Sequence, residues 1–291
     1  MICGRIPSKF PLPSSWTARF ARYYRCCVSI PKRNVILVVA DIHFGKSTAE
    51  FERDKEHALV ACLEAFSHDA DEVILLGDVF EHYIEYRHLI PKGYTRFLGA
   101  LGELADGGLH LTYFAGNHDP WHRDFFETEF GARFVTDDET RILHGSRYHF
   151  FHGDGVPENG GLYRRIKRLI RHPVSLRAYT SVLPGDFGMS LARWVNERFG
   201  ERSISAGTAE RLRMYADKLL LADLADVVVL GHSHVAELSN LAGGLYVNPG
   251  SWHHQRTFAL IAPTGPRLLQ WRGETAEDYR TPSTTEALPT A

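Results

Sequence analysis

The chain has 291 residues, 44% of them hydrophobic, with 33 basic side chains against 35 acidic ones. That suffices to bury the core of one large domain, or of one domain carrying an insertion. A net charge of −2 gives no nucleic-acid signature. The four cysteines, Cys3, Cys26, Cys27 and Cys62, have neither zinc-site nor disulfide-framework spacing, which points to a reducing compartment.

Residues 1–33 form a basic N-terminal extension, with bases from Arg5 to Arg33 and no acid. Such a patch suits phosphates or an anionic membrane surface, or is simply a solvated face. It lacks the apolar centre of a signal peptide, so a cytosolic protein is expected. The longest clean apolar run, Val35 to Ala40, is far too short to span a bilayer. That run is β-branched and reads as a buried strand ending in Asp41-Ile-His43. Residues 52–67 have helical spacing. Val73 to Leu76 is a second strand, running into Gly77-Asp78. Tyr94 to Leu104 reads as a helix broken by Gly107-Gly108. Leu109 to Ala115 is a strand before Gly116-Asn117-His118-Asp119, and Arg147 to Phe151 another before His152-Gly153-Asp154. Val227 to Leu230 precedes Gly231-His232-Ser233-His234, Leu245 to Val247 precedes Asn248, and Thr257 to Ile261 is the last strand. The domain is expected over 34–274. Between about 155 and 221 the strand pattern gives way to basic, aromatic, helical sequence, read as an inserted cap. The tail 275–291 has no periodicity.

Each motif alone is weak, since Gly-Asp is often only a turn. Five such motifs at successive strand ends serve no packing purpose, and loops at strand ends are where α/β proteins assemble sites. Carboxylates, imidazoles and an amide oxygen make a mixed ligand set suited to Mn, Fe or Zn. A pair of such ions, bridged by one carboxylate, lowers the pKa of a shared water and clamps both oxygens of an in-line displacement at phosphorus. The chain has no Gly-x-Ser-x-Gly elbow, no Walker loop and no Gly-x-Gly-x-x-Gly after a strand.

The ordered motifs resemble the calcineurin-like metallophosphoesterase superfamily from about Val35 to Trp252. The resemblance implies an α/β fold, a four-layer α/β/β/α sandwich of two mixed sheets with an inserted helical cap, and two divalent ions, with Mn2+ expected. It implies that Asp41, His43 and His234 hold one ion, that Asp78 bridges, and that Asn117, His152 and His232 hold the other. His118 then matches the histidine that gives a proton or hydrogen bond at the scissile phosphate, a role its pKa range suits. Glu81 stands where many relatives have an acid that orients this histidine. Asp119 and Asp154 are either supports for the ligands or turn-formers. His57, His110, His122, His144 and His149 match no motif and are read as ordinary surface or core residues.

Gly77-Asp-Val-Phe-Glu81, the following His-Tyr-Ile, and the tyrosine and basic helix after His-Gly-Asp resemble the UDP-2,3-diacylglucosamine pyrophosphatase family of lipid A synthesis. That likeness implies a lipid-linked nucleotide substrate, cleaved to UMP and 2,3-diacylglucosamine 1-phosphate. It also implies a cap holding the acyl chains and a peripheral place on the cytoplasmic face of the inner membrane. Leu162, Ile166, Leu169 and Ile170 share a helical face beside a run of bases, and Tyr163, Arg164 and Arg168 are the candidates to touch the diphosphate. The best-known members of that family have arginine where this chain has His118. The rival expectations are a general phosphodiesterase, phosphatase or nuclease on the same metals, and a scaffold that has lost them. Neutral overall charge argues against the nuclease, and a full ligand set argues against the scaffold.

Overall fold

The computed structural model describes residues 34–156, 169, 171–199 and 206–279. Tyr163, Arg164 and Arg168, the N-terminal extension and most of the tail lie outside the described residues.

Two sheets carry the chain. The first has seven strands in the order β12-β11-β10-β1-β2-β3-β4: β1 (Val35–Val39), β2 (Ala70–Leu75), β3 (His110–Phe114), β4 (Arg133–Val135), β10 (Thr257–Ala262), β11 (Gly265–Trp271) and β12 (Ala276–Asp278). Strands β1 to β4 run parallel, while β10 to β12 join antiparallel at the β1 side. The second sheet has the order β5-β6-β7-β9-β8: β5 (Glu139–Leu143), β6 (Ser146–Phe151), β7 (Val227–Leu230), β8 (Glu237–Leu241) and β9 (Gly244–Asn248). Its central pairs are parallel and its outer pairs antiparallel.

The unbroken apolar run of β1 follows from burial on both faces. Because side chains alternate along a strand, Leu37 and Val39 face one way and Ile36, Val38 and Ala40 the other. The first set packs with Leu59, Cys62 and Leu63 of helix α1 (Ala49–Phe66) and with Phe97 and Leu101 of α2 (Thr95–Asp106). The second meets Tyr148, Phe150, Val227, Val229 and Val247 of the other sheet. The outer face of that sheet is covered by Leu212, Ala216 and Leu220 of α6 (Ala206–Leu221), which pack with Val228, Leu230 and Tyr246. The chain therefore forms the expected α/β/β/α sandwich of two mixed sheets.

Helix α1 starts at Thr48, whose side chain accepts from Phe51 N, with Glu50 and Glu52 in the first turn where the dipole favours acids. A short helix α3 (Phe125–Phe130) ends at the left-handed Gly131. Between β6 and β7 lie α4 (Pro173–Val182), α5 (Gly185–Phe199) and α6. Helices α4 and α5 are tied by the Tyr179 hydroxyl, which donates to Gly188 O at 2.9 Å. They meet the loops after β2 and β3, where Trp121 lies against Tyr179 at 4.6 Å between ring centres and Arg123 Nη1 donates to Thr180 Oγ1 at 3.3 Å. Of the stretch expected to cap the site, α6 is thus the sandwich's outer helical layer, and its apolar stripe belongs to the core.

Candidate metal centre

All the motif residues leave strands at one end of the two sheets. The β1 and β2 loops continue to pair past their strands: Asp41 N donates to Gly77 O (3.2 Å), His43 N to Asp78 O (2.9 Å) and Phe44 N to Val79 O (2.9 Å). Five site residues, Asp41, His43, Asp78, His232 and His234, have positive φ between 48° and 65°. Non-glycine residues adopt this left-handed conformation rarely and at a cost, and it concentrates at functional sites. Here it turns each side chain inward off its strand. Two motif glycines are fixed by space. A Cβ on Gly116 would lie 2.1 Å from Asp78 Oδ1, and one on Gly77 would lie 2.4 Å from His152 Nδ1.

Three clusters converge. Asp41, His43 and His234 form one, Asp78, His152 and His232 a second, and His43, Glu81 and His118 a third that shares His43 with the first. Asp41 and Asp78 each have one carboxylate oxygen held by a backbone amide and the other turned to imidazoles. Asp41 Oδ2 accepts from His232 N at 2.9 Å, while Oδ1 lies 3.2 Å from His234 Nε2. Asp78 Oδ1 accepts from His118 N at 2.9 Å, while Oδ2 lies 3.4 Å from His152 Nε2 and 3.8 Å from His43 Nε2. Asp78 therefore reaches both clusters. Asn117 Oδ1 stands 3.2 Å from His152 Nε2, completing the second group.

The donor chemistry fits cations. His152 Nδ1 faces Leu76 O at 2.8 Å, and a carbonyl only accepts, so Nδ1 carries the proton. Neutral His152 then turns its Nε2 lone pair toward two oxygens, which requires a proton or a metal ion between them. Burial lowers the His152 pKa, yet the Asp78 charge and hydrogen bond outweigh it and bring it up to about 10, so without a metal a proton fills the gap. Metal binding displaces such protons. His43 repeats the arrangement: Nδ1 donates to Glu81 Oε2 at 2.7 Å, and Nε2 lies 3.0 Å from His234 Nε2. Burial holds its pKa well below the ordinary value, which keeps it in the neutral, ligating form. Asp41 Oδ1 is buried with no hydrogen-bond partner, as expected of an oxygen reserved for an ion. Burial opposes ionisation of both acids, but His234 holds Asp41 low and His152 and His118 hold Asp78 well below the usual range. Both are carboxylates at neutral pH.

His118 stands edge-on to His43 with ring centres 4.8 Å apart. Its Nδ1 is 3.3 Å from Glu81 O and 3.5 Å from Glu81 Oε1. The family resemblance puts Glu81 at His118 alone, but its shortest contact is to His43, so this carboxylate serves two histidines. Asp119 supports the Asp78 loop. Its carboxylate accepts from Asp78 N, Val79 N, Phe80 N, Gly116 N and the Tyr113 hydroxyl, all within 3.2 Å. Burial, reinforced by Asp78, raises Asp119 to about 6. Asp154 accepts from Arg171 Nη2 at 2.7 Å, and the same guanidinium donates to Gly116 O (2.7 Å) and Thr136 O (3.0 Å). No motif marks Lys55 or His253, which are buried against the β1 loop. His122 is an ordinary core residue, stacked on Tyr83 with ring centres 4.3 Å apart.

Comparison with known proteins shows the family. Residues 35–236 match the calcineurin-like phosphoesterase family. A UDP-2,3-diacylglucosamine hydrolase of Porphyromonas gingivalis is 34% identical over 187 residues, 60% of this chain and 68% of that protein. Proteins of the same name from Pseudomonas syringae pv. tomato and Nitrosococcus oceani are 29% and 27% identical, over 49% and 53% of this chain and only 55% and 60% of their own lengths. Among solved structures, the Escherichia coli phosphoesterase YfcE aligns with a TM-score of 0.44 at 16% identity, over 83% of this chain and 96% of that one. Vacuolar protein sorting 29 from Cryptosporidium parvum aligns at 0.41 and 14%, over 84% and 94%. The match over most of the described chain places this protein in the calcineurin-like phosphoesterase family, as a hydrolase whose fold implies divalent metal ions.

Proposed function

We propose that this protein hydrolyses the pyrophosphate of UDP-2,3-diacylglucosamine, giving UMP and 2,3-diacylglucosamine 1-phosphate, with two Mn2+ ions in the centre. The observation that carries the reading is the arrangement of His118 and Glu81 beside two clusters, with Asp78 of one within 3.8 Å of His43 of the other, in a chain similar to hydrolases named for that substrate. The first ion falls to Asp41, His43 and His234, the second to Asn117, His152 and His232. When bound, such a pair supplies Lewis-acid charge to the phosphoryl group and lowers the pKa of a water. Asp78 and Asp41, each anchored through one oxygen by a backbone amide, keep the two half-sites in register. His118, steered by Glu81, gives a hydrogen bond or proton to the phosphate as the bond to the β-phosphate oxygen breaks. Water adds to the α-phosphorus and the acylated sugar phosphate leaves.

Helices α4 and α5 present exposed Val174, Val182, Phe187 and Trp194, apolar surface that suits fatty chains or the margin of a bilayer. Tyr163, Arg164 and Arg168 are proposed to meet the diphosphate. No helix among the described residues is long and apolar enough to cross a membrane. A peripheral place on an anionic, cytoplasmic membrane face fits a lipid substrate, and no nucleic-acid partner is proposed. The test is turnover with Mn2+ on UDP-2,3-diacylglucosamine and, separately, on bis-p-nitrophenyl phosphate. UMP release with strong preference for the lipid is expected. Hydrolysis of the small diester alone would make the protein a general phosphodiesterase.

A further inference from the structure

Lys55 of α1 is 1% exposed. A buried ammonium is costly unless each of its donors is met, and a leucine or methionine would serve packing better. The neighbouring buried acid has an evident role, since Glu56 accepts from Arg96 N and Phe97 N and so caps α2. Lys55 has a different set of partners. Its Nζ donates to His43 O at 2.8 Å, to Glu52 Oε1 at 3.0 Å and to His253 Nδ1 at 3.1 Å, which uses all three ammonium hydrogens. The rings of Phe44 and Phe51 lie 5.3 and 5.9 Å from it.

These partners converge on one turn. Asp41 and His43 both have positive φ, so the turn needs external support. Asp41 O accepts from Ser251 Oγ (3.0 Å) and His253 N (3.2 Å). His43 O accepts from Lys55 Nζ at 2.8 Å and more weakly from Lys46 N at 3.3 Å. Glu52, which Lys55 pairs with, accepts from Gly45 N (2.8 Å) and Ser47 N (2.9 Å) just beyond. Lys55 thus ties α1, the Asp41-Ile-His43 turn and the short helix bearing His253 (Trp252–Gln255) together at one atom. We infer that Lys55 is the positioning residue of the first half-site: by holding the His43 carbonyl it fixes the left-handed turn that aims Asp41 and His43 at their ion. It touches neither the reacting atoms nor the second cluster, so its effect falls on one ion of the pair. This rests on the reading of the centre as two ion sites.

The experiment is Mn2+ titration of the metal-free full-length protein by calorimetry, with free and bound Mn2+ followed by electron paramagnetic resonance. Lys55→Met, Lys55→Arg and His253→Leu are compared with wild type, each checked for folding by circular dichroism. In Lys55→Met one ion is expected to bind about 10- to 100-fold more weakly, the usual cost of losing an outer partner of a ligand, with the other ion unaffected. Lys55→Arg, which keeps a donor near His43 O, is expected to recover part of the loss. If Lys55→Met does not fold, His253→Leu decides the matter: it removes one of the acceptors aiming the ammonium and is expected to weaken the same ion. Equal weakening of both ions, or unchanged binding of both in folded variants, overturns the inference. Wild type binding fewer than two ions instead overturns the dinuclear reading beneath it.

Discussion

Asp119→Asn removes one charge and reverses one end of a side chain, and the structure fixes what that does. The carboxylate meets five donors: Asp78 N (3.2 Å) and Gly116 N (2.9 Å) on Oδ1, and Val79 N (2.7 Å), Phe80 N (3.2 Å) and the Tyr113 hydroxyl (2.5 Å) on Oδ2. An asparagine has one acceptor and one NH2 group. Its better orientation keeps the oxygen on the three-donor side and turns the NH2 toward Asp78 N and Gly116 N. Two buried backbone donors then lose their acceptor, at about 1–3 kcal/mol each, so the loss of stability is about 2–6 kcal/mol. The donors lost are the backbone of Asp78 itself and of the glycine before Asn117, so the shared carboxylate also shifts. Mn2+ affinity is expected to fall about 10- to 100-fold. Urea unfolding of the metal-free protein measures the first effect and Mn2+ titration the second. A variant with both quantities unchanged would refute the claim that Asp119 organises the Asp78 loop and return it to a mere turn-former.

Other changes follow from the same contacts. His118→Gln is expected to keep both ions and lower kcat about 10²- to 10⁴-fold, and loss of an ion would make His118 a ligand. Arg171→Met takes the paired guanidinium from the buried Asp154 carboxylate and is expected to cost about 3–5 kcal/mol in urea unfolding, most of it recovered when Asp154→Leu is added. A loss under about 1 kcal/mol would show the pair to be dispensable. His122 is partly buried, with both ring nitrogens shut off from solvent, and this burial pushes its pKa down to about 3. The unfolded chain takes up a proton below about 6.5 and the folded one does not. Its contribution is therefore intact above pH 6.5 and is lost as the pH falls toward 3, by about 5 kcal/mol in all. His122→Phe, which keeps the stack on Tyr83, is expected to flatten the acid limb of stability against pH, and an unchanged limb would place the acid sensitivity elsewhere.

The site is more legible in the sequence than the fold around it, for a physical reason. A side chain that meets an ion must leave its strand end at once, so the motifs abut apolar runs that local reading detects. Val35 to Ala40 and Val227 to Leu230 are buried on both faces and read plainly. Strands such as β5 and β8 have no such signal, because Glu139 to Leu143 alternates partly buried with exposed positions and Glu237 to Leu241 is only half covered. The stretch before β7 reads as cap because its helical period says nothing of what the apolar stripe faces. In α6 it faces Val228, Leu230 and Tyr246.

What lies beyond sequence is the set of long-range polar contacts that hold the ligands still. Spacing from Asp78 singles out Glu81, yet its strongest bond runs to His43, 38 residues away. Lys55 looks like any solvated lysine on an amphipathic helix until the fold brings His253 to it across 198 residues. These contacts answer the same difficulty. Five inward-turned residues adopt a strained backbone, and the pairing of the β1 and β2 loops past their strands satisfies only some of their backbone groups. Asp119 binds the amides of the Asp78 loop, Lys55 the carbonyl of His43, and Arg171 the carbonyl of Gly116. Lys55 supports the Asp41-Ile-His43 turn, while Asp119 and Arg171 meet at Gly116 beside Asp78 and Asn117, so losing Lys55 and losing either of the others should loosen different parts of the centre while the sandwich beneath it stands. That selectivity separates support of a metal centre from ordinary core packing, whose loss weakens every part alike.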